Sequence, residues 1–317
     1  MAQNNEFQPN SMLNTLQFLG HKLVPTNINT VFQFTPTIHH TPYPYISPSK
    51  QNLSGRAIFV TGASKGIGRA TALSFAVAGA SYIAIGARSS LDSLVAELRD
   101  TANKAGFSQT KILPLSLDLT DQKTIDKAGK RIEEEFGRLD ILVNNAAYLE
   151  ECVKVADSDP LEWWKSWTVN VNGVYLCTRA LLPLLLNTNN GLKTILNVSS
   201  IGAINKRPGA SAYQTGKLAL LRFGEFVDVE YGEEGILCYG IHPGAVMTEL
   251  ASRLPKYTHC LLKDVPELAA DTIVWLTGQR KDWLAGRYVS VNWDMEEFEK
   301  MREKVVKEDL LKVKITA

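Results

Sequence analysis

From about residue 56, short β-branched runs alternate with helix-length amphipathic stretches. The strand-like runs occupy 57–60, 82–85, 112–117, 141–143, 194–198, 236–241 and 287–291. Between them, apolar residues recur at helical spacing over 67–78, 91–105, 121–136, 161–186 and 212–231. Such alternation is the signature of an α/β fold, a doubly wound parallel sheet of about seven strands with helices on both faces. The pattern predicts one domain over 54–294, preceded by an extension over 1–53 and followed by a charged, helix-patterned tail over 295–317. Pro36, Pro42, Pro44 and Pro48 leave no room for a regular element in the extension. Phe32, Phe34, Tyr43, Tyr45 and Ile46 are nonetheless too apolar for a solvated linker, so this segment is expected to pack as an arm.

Composition narrows the class of partner. The chain has 317 residues, 45% of them hydrophobic, with 34 basic and 33 acidic side chains and a formal net charge of +1. No global field favours nucleic acid or an anionic membrane, so a small-molecule partner is expected. Cys152, Cys177, Cys238 and Cys260 are widely spaced and read as reduced and packed, and no metal-ligand spacing is present. The adjacent His39 and His40 read as part of an exposed polar segment. The apolar patch over 12–24 lacks a preceding basic segment, the first arginine is Arg56, and the run over 181–186 is too short to span a bilayer. A cytoplasmic protein without a membrane span is expected.

Thr61-Gly62-Ala63-Ser64-Lys65-Gly66-Ile67-Gly68 follows the first predicted strand and opens the first predicted helix. Glycines there let the backbone turn tightly and approach a pyrophosphate, which free N–H groups and the helix dipole stabilise. Its G-x-x-x-G-x-G spacing resembles that of the short-chain dehydrogenase/reductase family, whose members carry it on a Rossmann fold. Further landmarks of the family follow in order: Asp118-Leu119, Asn144-Asn145-Ala146-Ala147, and Pro243-Gly244 with Val246 and Thr248. The resemblance covers about 53–294 and departs mildly at Ala147, where the family usually has glycine. It implies that Asp118 and Leu119 hold an adenine, that Asn144 and Ala146 lie along the nucleotide cleft, and that 243–248 meets the nicotinamide.

Choice of cofactor turns on the end of the second strand, where an acidic residue would bind a ribose 2′-hydroxyl and repel a 2′-phosphate. The chain reads Gly86-Ala87-Arg88, so no acid stands there. Arg88 offers a planar donor suited to phosphate, and Lys65 can add a second positive charge; the expected cofactor is NADP(H).

Tyr213 and Lys217 form the chain's one Y-x-x-x-K pair and open a predicted helix, and Ser200 lies thirteen residues before Tyr213 at a strand end. By resemblance these three carry catalysis, with Asn170 as a fourth. A carbonyl accepting hydride needs a proton donor, and a phenol with an ordinary pKa of about 10 is too reluctant near neutrality. One helical turn away, the Lys217 ammonium is expected to lower it. Ser200 would hydrogen-bond the substrate oxygen, and Asn170 would steady a water beside Lys217. Ser199 and Asn172 are the rivals to Ser200 and Asn170; strand alternation sends Ser199 and Ser200 to opposite faces.

The segment with Leu250, Leu254, Tyr257, Leu261 and Leu262 reads as an apolar lid over an apolar substrate. Trp163, Trp164 and Trp167 read as packing or interface residues rather than a substrate cage. The resemblance further implies pairing through the helices over 161–186 and 212–231 into a homodimer or homotetramer. The two extensions resemble those of fungal members, some of which serve secondary metabolism. The leading expectation is a ketone–alcohol oxidoreductase; a non-redox enzyme on this fold (isomerisation, elimination or cyclisation) and an NADP(H)-sensing protein are the alternatives.

Overall fold

The computed structural model describes residues 31–315, so the apolar patch over 12–24 lies outside the described residues. The chain runs β1 (Ala57–Thr61), α1 (Gly66–Val77), β2 (Tyr82–Ala87), α2 (Asp92–Lys104), β3 (Lys111–Ser116), α3 (Gln122–Phe136) and β4 (Ile141–Asn144). It continues through α4 (Pro160–Trp167), α5 (Gly173–Asn187), β5 (Thr194–Val198), α6 (Ser211–Tyr231), β6 (Leu237–His242), α7 (Pro266–Gly278), β7 (Tyr288–Ser290), α8 (Met295–Lys300) and α9 (Arg302–Lys307).

All seven strands form one parallel sheet in the order β3-β2-β1-β4-β5-β6-β7. Successive residues of a strand serve opposite cores. Ile58 and Val60 of β1 join the core beneath α1, α2 and α7, while Ala57 and Phe59 join the core beneath α3 and α5. Burial on both faces is why the inner strands read as apolar runs, whereas the edge strand β3 alternates exposed and buried positions. The order reverses between β1 and β4, and the crevice beyond their carboxyl ends is where such sheets take ligands.

Three elements differ from the sequence expectation. The helix expected over 161–186 is two helices joined by a π-turn at Thr168–Asn172, an irregularity that hydrophobic spacing does not register. By length and mean hydropathy the run Pro160–Asn187 could cross a bilayer, yet Val174, Cys177, Leu181 and Leu185 of α5 pack in the core. Helix α7 shows no amphipathic pattern because it is buried nearly all round, from Leu268 to Thr277. The C-terminal tail holds two short helices, broken at Met301, and buries Met295, Phe298 and Val305.

The N-terminal arm packs on that tail. Pro44 and Pro48 each start a single 3-10 turn, the first-turn position where a missing N–H costs nothing. Ile38 bridges to Trp293, whose indole N–H donates to the Val31 carbonyl at 2.9 Å and whose ring lies 5.0 Å from Phe34. Of the pair expected to be exposed, His40 is so and His39 is half-buried, and both are engaged with carboxylates. His39 stacks on Tyr43 at 3.6 Å and meets Asp294 at 2.8 Å, and His40 meets the buried Asp264 at 2.5 Å. Cys177 and Cys238 are buried, Cys152 is half-buried, and Cys260 is exposed rather than packed.

Candidate active site

A cleft of about 770 Å³ opens at the β1/β4 switch point, a size suited to a cofactor with a small substrate. At its floor the backbones of the β1–α1 turn and the β4 loop nearly touch. Gly62 has φ +67°, and a Cβ there would lie 2.7 Å from the Ala146 Cα. A Cβ on Gly68 would lie 2.4 Å from the Asn145 side chain and 2.5 Å from the Gly62 carbonyl. The Thr61 hydroxyl accepts from the N–H groups of Asn145 and Ala146 at 3.0 and 3.1 Å, holding the two loops together.

Gly62, Ser64, Lys65, Gly66, Ile67 and Gly68 line this end with Arg88, Asp118, Leu119 and Ala146; Pro243, Gly244, Val246 and Thr248 line it from the β6 side. At Gly62, Gly66 and Gly68 no side chain covers the main chain where α1 begins, so an anionic pyrophosphate fits there. Asp118 accepts from the Thr120 N–H at 2.9 Å and hydroxyl at 2.8 Å. Partial burial works against its charge, but these bonds and the Arg88 guanidinium outweigh it and hold its carboxyl below the usual range.

One expected contact falls elsewhere, and a second lines the cleft but shares its charge. Asn144 does not line the cleft: at the end of β4 its side chain points into the core, donating to Asn197 at 2.9 Å and Thr178 at 3.3 Å. The next residue, Asn145, faces the cleft and ties its amide to the Thr61 and Gly62 carbonyls at 2.9 and 3.2 Å. Lys65 is ion-paired across the cleft with Glu249, so its charge is already partly matched.

At the other end the chemistry-bearing side chains converge from β5 and α6. Ser200 accepts from the Gly202 N–H at 2.9 Å and lines the cleft with Tyr213, whose ionised phenol its hydroxyl favours. The Lys217 ammonium donates to the Val198 carbonyl at 2.7 Å and lies 5.6 Å from the centre of the Tyr213 ring. Ser199 points away, its hydroxyl donating to the Lys217 carbonyl at 2.8 Å in the interior.

Asn170 is fully buried in the π-turn, and its side chain is committed. Its amide donates to the Tyr148 carbonyl at 2.6 Å and the Ser166 hydroxyl at 3.0 Å, and its oxygen accepts from the Tyr148 N–H at 2.9 Å. It braces the Tyr148 loop and does not face the cleft, contrary to the expectation that its side chain steadies a water there.

The electrostatics also differ from the simple picture of an ammonium acidifying a phenol. Burial pushes the Tyr213 phenol up to about 12, with the Ser200 hydrogen bond and the Arg207 charge opposing and Glu150 adding to the rise. Burial pushes Lys217 down to about 7. Both groups lie so deep that removal from water dominates.

Several cleft residues carry no sequence motif. Asn205, Arg207 and His242 line it, as do Tyr148, Leu149 and Ile201. Burial lowers His242 to about 4, and its Nδ1 accepts from the Ile201 N–H at 3.1 Å. Leu250, Leu254 and Leu262 of the expected lid face the cleft with Met247, whereas Tyr257 and Leu261 do not. The three tryptophans stack on one another at 5.8 to 6.4 Å outside the cleft, with Trp164 exposed beside Leu161.

Comparison with known proteins agrees with this geometry. The family profile described as short chain dehydrogenase matches residues 56–258. Short chain dehydrogenase mpl6 of Monascus purpureus is 54% identical over 284 residues, covering 90% of this chain and 97% of the relative. Short chain dehydrogenase pigC of Monascus ruber is 45% identical over 286 residues, covering 89% and 94%. Among solved structures, 3-ketoacyl-(acyl-carrier-protein) reductase from Brucella melitensis, complexed with NADH, superposes with a TM-score of 0.67 at 27% identity, covering 76% of this chain and 98% of that one. A glycine turn pressed against the β4 loop, a serine, tyrosine and lysine brought together on one cleft, and these likenesses over most of the chain converge: this is an enzyme of the short-chain dehydrogenase/reductase family.

Proposed function

We propose that the chain interconverts a ketone and a secondary alcohol on a small, largely apolar substrate, with NADP(H) as the cofactor. The observation that carries this reading is the convergence of Ser200 and Tyr213 on one cleft, with the buried Lys217 ammonium one helical turn behind the phenol. When bound, the nicotinamide supplies or removes the hydride. Ser200 holds the substrate oxygen through its hydroxyl, and Tyr213 gives that oxygen a proton in reduction and takes it back in oxidation.

Lys217, lowered to about 7, can hold or release a proton near neutrality and so restore the phenol between turnovers. Because the Asn170 side chain is fully engaged, any share it has in that relay falls to its main chain. Support for the phosphorylated cofactor comes from Arg88, exposed at the end of β2 and lining the cleft with no carboxylate at 86–87. Leu149, Ile201, Met247, Leu250, Leu254 and Leu262 line the same cleft as Tyr213 and favour an apolar skeleton. Incubation with NADPH and a panel of cyclic ketones tests the proposal. Loss of the reduced-nicotinamide absorbance with stoichiometric alcohol is expected; ketones that bind without being reduced would refute it.

A further inference from the structure

Three of the buried side-chain polar atoms lacking a hydrogen-bond partner among the described residues belong to Asn205, Arg207 and His242, which line the cleft; a fourth, on Glu150, lies outside it. Orphaned buried polar atoms are rare in native proteins, and a cluster of them in a cleft marks groups waiting for a ligand. Arg207 is the most telling. Its Nε is buried without a partner, and among the described residues no carboxylate lies within ion-pair distance of its guanidinium. Its Nη2 has only a weak 3.7 Å contact with the Cys152 sulfur, and burial raises that thiol, leaving it neutral. The main chain of Arg207 is fixed by its N–H donating to the Gln214 amide at 2.9 Å, one residue from Tyr213. Its charge reaches the Tyr213 phenol.

Glu150 does not cancel this charge from within the cleft. It does not line the space, and its Oε1 accepts from the Tyr213 N–H at 2.9 Å, in the first turn of α6. Asn205 adds a cleft-lining amide whose Oδ1 has no partner; turned over, it would present its NH₂ instead.

We propose that Arg207, assisted by Asn205, is a recognition site for a carboxylate on the substrate, so that the natural substrate class is an apolar keto acid. This rests on the ketone–alcohol reading above and deepens it. A guanidinium with a free donor edge matches a carboxylate in a bidentate pair, while the leucine-lined wall takes the carbon skeleton. The site selects the substrate and touches no reacting atom.

The test compares 2-acetylbenzoate and 4-oxocyclohexanecarboxylate with their methyl esters. Binding to protein saturated with NADP⁺ is measured by calorimetry, and reduction is measured separately with NADPH. For the native protein, each acid is expected to bind roughly tenfold or more tightly than its ester, and kcat/KM to show the same preference. In Arg207→Gln the acid-to-ester ratio should fall to about one, and in Arg207→Lys part of it should return. Using the ratio cancels any effect of Arg207 on Tyr213 that both ketones share. Acids binding no tighter than esters, or a ratio unchanged in Arg207→Gln, would overturn the carboxylate site even if both ketones are reduced. Arg207-dependent binding of the acids without reduction would sustain the site and count against the redox reading instead.

Discussion

The Cα of Ala146 stands so close to Gly62 that a Cβ on the glycine would lie 2.7 Å from it. Gly62 also has φ +67°, where a side chain costs about 1 kcal/mol or more before any contact is counted. Gly62→Ala is therefore expected to force the β1–α1 turn off the β4 loop. Its melting temperature should drop and its affinity for NADPH, followed by fluorescence titration, should fall by roughly tenfold or more. Unchanged affinity would mean that this close approach does not shape the nucleotide end.

Tyr213→Phe keeps the ring and removes the hydroxyl that meets Ser200. Turnover should fall by about 10²- to 10⁴-fold or further, while NADPH binding and the thermal midpoint stay close to those of the native protein. Substantial retained turnover would show that another group donates the proton.

Arg88→Ala should weaken NADPH selectively, because the guanidinium lines the cleft at the end of β2 and no acid occurs among residues 86–90. Losing a charge-assisted contact with a phosphate is worth roughly 1.5–3 kcal/mol, so kcat/KM for NADPH should drop about tenfold or more with NADH little changed. A constant ratio of the two cofactors would remove the basis for preferring NADP(H).

Lys217 leaves a mark on stability as well as on chemistry. Its folded pKa of about 7 lies below the ordinary 10.5, so between those values the unfolded chain holds the extra proton. Stability must then rise with pH across that window and lose this contribution as pH falls through about 7. Lys217→Met should flatten the rise, read from denaturant midpoints at a series of pH values. Parallel curves for the two proteins would mean that the ammonium is not desolvated as deeply as its surroundings imply.

The fold was legible because a doubly buried parallel strand has no polar alternation to hide it, and the glycine turn because its spacing sits between a strand and a helix. Side-chain direction was less so. The Asn144–Asn145 pair marks the loop, but which asparagine faces the cleft depends on the last residue of β4 still following the pleat. Lys65 reads as a free charge until the fold brings up Glu249, 184 residues away. Asn170 sits in a π-turn that no apolar period reveals, and its amide is spent on Tyr148 and Ser166. Arg207 lies in an irregular segment between Ser200 and Tyr213, where position along the chain carries no information about facing.

The docked arm ties the earliest described residues to the last strand and helices of the chain: Trp293 bonds Val31 across 262 positions, and Asn292 bonds His39 across 253. During synthesis the arm emerges before the sheet and its seat emerges after it, so Phe34 and Tyr43 lack their packing partners while all seven strands are made. A segment translated ahead of the sheet is thus among the last to find its place, and a chain cut short before Trp293 would leave Phe34 and Tyr43 without their seat.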